Sequence, residues 1–303
     1  MITHQPVVEV VEAGDAMVEK TPSTWTSSKF APLGAVGVAM LSITIGASIA
    51  KQLFPVIGPA GTTTLRLALA ALILVFVFRL WKFNFRTSAL ISAIPYGMSL
   101  GLMNLLFYMA IQRIPLGVAL AIEFTGPLTV ALAYSRRRSD LFWVALTLLG
   151  LSFLLPLHQD YSTIDLRGVG YAFAAGICWG IYIVSGKRAG SVLGAQAPAL
   201  GMILAAVVVL PFGLVEAGTV LLRFDVLTLA LLVAVLSSAI PYSLEMFALQ
   251  RLPAKSFGVL TSGEPAMGAI VGMVVLGEVL SLTEMAGIAA IVIASVGVIQ
   301  SAR

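Results

Sequence analysis

Long apolar segments separated by short polar connections run along the chain from residue 32 to residue 300. Each is roughly 20 residues long, the length that an α-helix needs to cross a bilayer. Alternation of apolar and polar residues with a period of two is absent, so a membrane barrel built of strands is not indicated. The pattern predicts an all-α membrane protein with about ten transmembrane helices, at 32–51, 59–79, 88–111, 115–134, 140–157, 168–186, 195–216, 226–249, 254–275 and 283–300.

Composition agrees with this prediction and excludes several classes of protein. Of the 303 residues, 59% are hydrophobic and 11% are charged, whereas a soluble domain carries about 25% charged residues. A soluble chain of this length could not bury so much apolar surface. A soluble enzyme, a nucleic-acid-binding protein and a disordered protein therefore fit poorly.

Lysine and arginine are distributed unevenly among the connections. With the polar N-terminal segment placed in the cytosol, the outer connections hold only Lys51, Arg113, Arg167 and Arg223. The cytosolic connections hold most of the other basic residues, including the run at 136–138. Because cytosolic loops of membrane proteins are enriched in lysine and arginine, both termini are predicted to lie in the cytosol.

The two halves of the chain resemble each other. The segment AIQRIP at 110–115 matches ALQRLP at 248–253, at an offset of 138 residues, and Pro127 matches Pro265 at the same offset. An odd number of spans in each half would turn the second copy upside down, and inverted repeats of this kind place a substrate site near the membrane midplane. The predicted domains are a disordered cytosolic tail at 1–31 and two inverted five-helix repeats at 32–157 and 168–300.

A few ionisable residues lie deep inside the predicted spans, where a charge is costly and is a functional candidate by default. Arg66 and Glu123 lie at similar depths below the outer boundary, and Glu264 lies near the middle of its span. Arg66 and Glu123 could instead form a buried structural ion pair. Glu245 lies closer to the cytosolic side, where it could act as a gate or simply extend its carboxylate towards water.

Two prolines interrupt spans that carry these carboxylates. Pro127 removes the hydrogen bond to the carbonyl of Glu123, and Pro265 removes the one to Thr261. Loosened backbone is therefore predicted at membrane depth, where it is tolerated if it lines a cavity or is buried in protein. A kink that only serves helix packing is the alternative interpretation.

Aromatic and amide side chains inside the spans could shape a pocket between the halves, although ordinary packing could explain any single one. No catalytic triad, phosphate-binding loop or metal-ligand motif is present in the sequence, so no enzyme, cofactor or metal site is predicted. Active transport would then use an ion gradient. The candidate pocket residues are Tyr96, Asn104, Tyr108, Trp179, Tyr182 and Tyr242.

Five short motifs are distinctive: KQLFP at 51–55, LRLAL at 65–69, EFTGP at 123–127, PYSLEM at 241–246 and GEP at 263–265. Through these motifs the chain resembles the drug/metabolite transporter superfamily with two EamA-type repeats, and within it amino-acid exporters of the bacterial inner membrane. The resemblance implies export of threonine, homoserine and related amino acids, driven by the proton gradient. The partners would be a small amino acid, protons and membrane lipid, with no nucleic acid, and the choice between monomer and homodimer stays open.

The alternatives are a related transporter of other amino acids, organic cations or sugar derivatives, and a passive channel. An amino acid is a zwitterion, so its site needs both a cation and an anion. Arg66 is the expected partner of the α-carboxylate and Glu123 or Glu264 that of the ammonium. A remaining carboxylate among Glu264, Glu123 and Glu245 could carry the proton. Hydroxyls that could read a polar side chain are those of Thr125, Thr261 and Ser262.

Overall fold

A computed structural model describes residues 30–82, 87–114, 116–134, 138–154, 165–261, 263–264, 266–267 and 281–301. All regular structure in these ranges is helical. The predicted tail at residues 1–29 lies outside them. The α-helices are α1 (Ala31–Ala50), α2 (Phe54–Val77), α3 (Thr87–Ile111), α4 (Leu116–Glu123), α5 (Thr125–Ala133), α6 (Arg138–Leu154), α7 (Leu166–Leu193), α8 (Ala197–Ala217), α9 (Phe224–Ala234), α10 (Ile240–Arg251), α11 (Ala254–Thr261) and α12 (Leu282–Ser301).

The described helices include five segments that are long and apolar enough to cross a membrane. One of them, Leu166–Leu222, contains both α7 and α8. Two shorter apolar helices lie at Leu141–Phe153 and Met285–Ala294. The prediction of an all-α membrane protein is confirmed for the part of the chain that the structure covers.

The outward faces of the helices are apolar, as a lipid environment requires. Large side chains such as Phe76, Phe212 and Val215 are exposed on the protein surface. In water these faces would be penalised by the hydrophobic effect, whereas lipid chains solvate them. Polar side chains are instead gathered in the interior, where they form the site described below.

Helix α3 lies at the centre of the packing that positions this interior. It runs against α7 and α8, while α2 packs on α8 and α1 packs on α10. Backbones approach closely at small residues: a Cβ added at Gly101 would lie 2.7 Å from the carbonyl oxygen of Ala205. Small residues at such crossings are what allow membrane helices to pack without a hydrophobic driving force.

The regular α-helical backbone is interrupted at three places. Helix α2 contains a non-helical residue, Gly58 (φ 68°, ψ 175°), directly before Pro59. The predicted span 115–134 is two helices, because Phe124 forms a turn between α4 and α5, three residues before Pro127. A five-residue π-helix, Val235–Ala239, joins α9 to α10.

Candidate functional site

Arg66 lies in the middle of α2 and is 4% exposed. Its Nη1 donates to the hydroxyl of Tyr108 at 2.8 Å and more weakly to Ser237 Oγ at 3.4 Å. Its Nη2 donates to Oδ1 of Asn104. The guanidinium carbon also lies 4.6 Å from the centre of the Tyr108 ring, within the range of a cation–π contact.

All these partners of Arg66 are neutral. Among the described residues no carboxylate lies within 4.0 Å of the guanidinium, so the interpretation of Arg66 and Glu123 as a direct ion pair is wrong. The ion pairs within the described ranges lie at exposed positions instead, at Arg113–Asp165 and Arg223–Asp225. The Nε of Arg66 is buried without a hydrogen-bond partner in the described part of the chain.

Asn104 connects Arg66 to the second half of the chain. Its Oδ1 accepts from Arg66 and also from the hydroxyl of Tyr242, at 2.9 Å. Its Nδ2 donates to the carbonyl of Leu100 at 2.8 Å, which fixes the side chain against its own helix. The cation of α2, the amide of α3 and the phenol of α10 thus form one hydrogen-bonded group.

Glu245 lies in a layer of tyrosines next to this group. It is 4% exposed and accepts a hydrogen bond of 2.8 Å from the Tyr182 hydroxyl. The interpretation of Glu245 as a carboxylate that extends to water is therefore wrong. Tyr182 stacks on Tyr96, with ring centres 5.4 Å apart, and meets Tyr242 edge-on at 6.1 Å.

Glu123 and Glu264 lie within electrostatic reach of the same group. Glu123 ends α4 and is buried, and the charges of Arg66 and Glu264 both act on it. Glu264 is partly buried, and the charges of Glu245 and Arg66 act on it. The charge of Arg66 therefore acts on two carboxyl groups, those of Glu123 and Glu264, without a direct ion pair to either. Pro265 lies outside the described residues.

The remaining predicted site residues lie in different environments. Trp179 is buried and packs on Phe124 with ring centres 4.9 Å apart. The hydroxyl of Thr261 donates to its own helix, at 3.0 Å from the carbonyl of Phe257. Thr125 is exposed and donates to Ile122 at 2.6 Å, so it is not brought to the site. Ser262 lies outside the described residues.

Sequence reasoning missed Ser237 and the π-helix that carries it. Pro241 has no N–H to give to a carbonyl on the preceding turn, and the carbonyl of Leu236 accepts from the hydroxyl of Ser42 at 2.5 Å instead. Gly46 leaves room for this approach, because a Cβ there would lie 2.6 Å from the Cβ of Ser237. Pro241 is the signal in the sequence, since π-bulges insert where the regular ladder fails and are frequent at functional sites.

Within the ranges that the structure covers, no three histidine, cysteine, aspartate or glutamate side chains are grouped so that they could hold a metal ion. What the arrangement offers chemically is a buried cation with neutral partners and a set of carboxyl groups around it. Such a site can bind a small molecule that carries both charges.

Comparison with known proteins places these observations in a family context. Residues 166–300 match the EamA-like transporter family. Two proteins named threonine/homoserine exporter RhtA, from Escherichia coli strain K12 and Salmonella typhimurium strain LT2, are each 51% identical to the chain over 266 residues, which is 88% of this chain and 90% of the relative. A protein of known crystal structure superposes with a TM-score of 0.75 over 91% of this chain and 99% of its own, at 15% identity, which shows the fold alone.

Proposed function

The chain belongs to the EamA-like transporter family, and from this premise we propose that it exports threonine, homoserine and related small amino acids. Membership confirms the resemblance drawn from the sequence motifs and makes the chain a transporter rather than an enzyme. The substrate class is supported by the relatives named threonine/homoserine exporter at 51% identity.

The observation that carries this proposal is the guanidinium of Arg66. A guanidinium has five N–H donors, and the described neighbours Tyr108, Ser237 and Asn104 accept from it. Two donors, one of them on Nε, are left for a ligand. A planar guanidinium binds a carboxylate through two parallel hydrogen bonds, and this is the geometry that the α-carboxylate of an amino acid would use.

The ammonium of the substrate would be bound by a carboxylate on the other side of the same site. Glu123 and Glu264 are the candidates, because the charge of Arg66 acts on both. A ligand that carries a carboxylate and an ammonium a few bonds apart would satisfy the two poles together. An organic cation would leave Arg66 without a counter-charge, which favours an amino acid over a cationic substrate.

Transport would proceed by alternating access between two inverted five-helix repeats that together cross the membrane about ten times. The packing supports this, since α3 lies on α7 and α1 lies on α10. These helices lie in the first and third spans (α1 and α3) and in the sixth and eighth spans (α7 and α10). An inverted repeat relates the first span to the sixth and the third to the eighth, so it converts one of these contacts into the other. The bacterial relatives support location in the inner membrane of a bacterium. The distribution of lysine and arginine supports an orientation with both termini in the cytosol.

The energy source would be the proton gradient. The buried and partly buried groups include three carboxyl groups, Glu123, Glu245 and Glu264, and the guanidinium of Arg66. One carboxyl group can therefore pair with the substrate ammonium while another takes up or releases a proton. Glu264 is the preferred proton carrier, because the charges of both Glu245 and Arg66 act on it. Intramembrane carboxylates of this kind are the usual proton carriers of transporters.

Replacing Arg66 by lysine tests the proposal directly. In proteoliposomes loaded with threonine, Arg66→Lys is expected to raise the apparent KM for threonine counterflow at least tenfold, because an ammonium cannot make the two parallel hydrogen bonds. A loss of about 1.4 kcal/mol of binding free energy corresponds to that factor. Arg223→Lys is the matched control, since Arg223 is exposed beside Asp225, and its KM should not change.

The result that would overturn the proposed anchor is an unchanged KM in Arg66→Lys. Failure of the wild-type protein to exchange threonine or homoserine would overturn the substrate class. Flux that rises linearly with concentration, without saturation or counterflow, would identify a passive channel instead.

A further inference from the structure

The hydrogen bond between Asn104 and Tyr242 joins two positions that are 138 residues apart. This is also the offset between the AIQRIP and ALQRLP segments. Both residues lie on continuous helix that leads without interruption to those segments, Asn104 in α3 and Tyr242 in α10. They are therefore equivalent positions of the two proposed repeats, and equivalent positions that touch must lie next to the axis that relates the repeats.

Their depth in the membrane agrees with this placement. Asn104 precedes Arg113 by about nine residues, and Tyr242 precedes Arg251 by the same number. At 1.5 Å per residue, each lies roughly 14 Å from its arginine, which is about half the thickness of the hydrocarbon core. The two arginines are expected at opposite boundaries, so both residues meet near the midplane.

We propose that Tyr242 is a positioning residue, which holds Asn104 and through it orients the Arg66 guanidinium for the substrate carboxylate. The inference rests on the proposed function of Arg66. It assigns Asn104 and Tyr242 a role different from direct substrate contact. In this arrangement a residue of the second half of the chain, Tyr242, orients the substrate-binding residue of the first half, Arg66.

The chemistry of the amide settles which atom of Asn104 faces the guanidinium. A guanidinium only donates, so the atom opposite Arg66 Nη2 has to be the carbonyl oxygen. That oxygen has two lone pairs, and the second accepts from the Tyr242 hydroxyl. One of the two Nδ2 donors is bound to the carbonyl of Leu100, so three of the four hydrogen-bonding positions of the amide are taken by protein groups. Asn104 is therefore part of the framework that holds Arg66.

Tyr242 is itself held firmly enough to act in this way. It is 3% exposed and follows Pro241 at the start of α10, directly after the π-helix. Its ring meets Tyr182 edge-on, with centres 6.1 Å apart, and Tyr182 in turn donates to Glu245. Its phenol is a neutral donor, so it holds Asn104 and leaves the charge of Arg66 intact. A carboxylate at this position would neutralise that charge.

The test is Tyr242→Phe, which removes one hydroxyl and keeps the ring. In threonine counterflow we expect the apparent KM to rise about five- to tenfold with Vmax within a factor of two, because substrate binding loses its oriented anchor while the transport cycle is intact. A residue with a merely structural role would lower the amount of folded protein and Vmax instead. Tyr134→Phe, at the exposed end of α5, is the matched control and should leave both constants unchanged.

A double variant separates action through Asn104 from direct contact with the substrate. Asn104→Ala should raise KM, and adding Tyr242→Phe to it should cause no further rise, because the two substitutions break the same connection. Multiplicative effects in the double variant, or an unchanged KM in Tyr242→Phe, would overturn the inference while Arg66 keeps its role. A wild-type protein that does not exchange threonine would overturn the proposed function, and the inference with it.

Discussion

A guanidinium inside a membrane protein is stable only if its neighbours replace the water that it has lost. For Arg66 these neighbours are a phenol, an amide and a serine hydroxyl, together with the face of the Tyr108 ring. Neutral partners solvate the cation without neutralising it. The carboxyl groups of Glu123 and Glu264 interact with the charge of Arg66 without direct contact, so the guanidinium has no bound counter-charge among the described residues.

The roles of the three carboxyl groups can be distinguished by measuring proton-gradient-driven uptake and counterflow separately. Glu264→Gln is expected to lower pH-gradient-driven threonine uptake at least tenfold. Threonine counterflow should stay within a factor of two of wild type. The amide cannot carry a proton but can still accept a hydrogen bond. Both fluxes are measured in the same proteoliposomes. Asp225→Asn, exposed beside Arg223, is the control and should keep both.

Gradient-driven uptake that survives in Glu264→Gln would contradict the assignment of Glu264 as the proton carrier. The same pattern of lost uptake and retained exchange in Glu123→Gln or Glu245→Gln would give the role to that residue.

Which residues share the site could be predicted in part from the sequence. The sequence predicts Arg66 as an intramembrane charge and, separately, Asn104, Tyr108 and Tyr242 as candidate pocket residues. The structure joins these four by hydrogen bonds. Thr125 was predicted with them but lies on an exposed face. Helix α5 is apolar almost all round, so hydropathy gives no indication of which face meets the interior.

At the scale of elements, the interruption of α2 at Gly58 depends on a contact with the second half of the chain. The Oε2 of Glu216, in α8, accepts from the backbone N–H of Ala60 at 2.6 Å and of Gly61 at 2.9 Å. These N–H groups are the first of the helical run after Pro59, so the carboxylate caps them as an N-cap side chain would. A Cβ at Gly58 would overlap the same carboxylate.

Gly58→Ala is therefore expected to lower the stability of the protein. The alanine would have to adopt a φ of 68°, which costs about 1–3 kcal/mol, and would displace Glu216 from its cap. The midpoint of thermal unfolding in detergent should fall by several degrees. Gly34→Ala in α1 is the matched control, because a Cβ there meets nothing within 4 Å and its midpoint should not fall. Equal midpoints for the two variants would contradict the strain at Gly58.

Hydropathy predicts where helices lie because the bilayer sets the length of apolar segments. The described helices overlap the predicted ranges, and five segments are long and apolar enough to cross a membrane. The interruptions were harder to predict. Pro127 indicates the one at Phe124, and Pro59 and Pro241 lie equally close to the other two. A proline shows that a backbone hydrogen bond is lost, but which group replaces it, Glu216 or Ser42, depends on contacts far along the chain.

For the whole molecule, the central claim is that an amino acid binds by its carboxylate to Arg66 between the two halves. The sequence supports two repeats, and the Asn104–Tyr242 hydrogen bond indicates that the axis relating them passes close to these two residues. With the anchor next to that axis, rocking of the halves would expose the same site to either side of the membrane while displacing it little. The substrate would then meet one set of partners throughout the cycle.

The most direct test varies the ligand and leaves the protein unchanged. Wild-type protein in proteoliposomes is assayed for radiolabelled threonine counterflow with unlabelled threonine or with threoninol, its analogue with an alcohol in place of the carboxylate, as competitor. Threonine should compete at its own KM, whereas threoninol should need a concentration at least a hundredfold higher, since it gives Arg66 no anion to bind. Competition by threoninol at concentrations similar to those of threonine would contradict the claim.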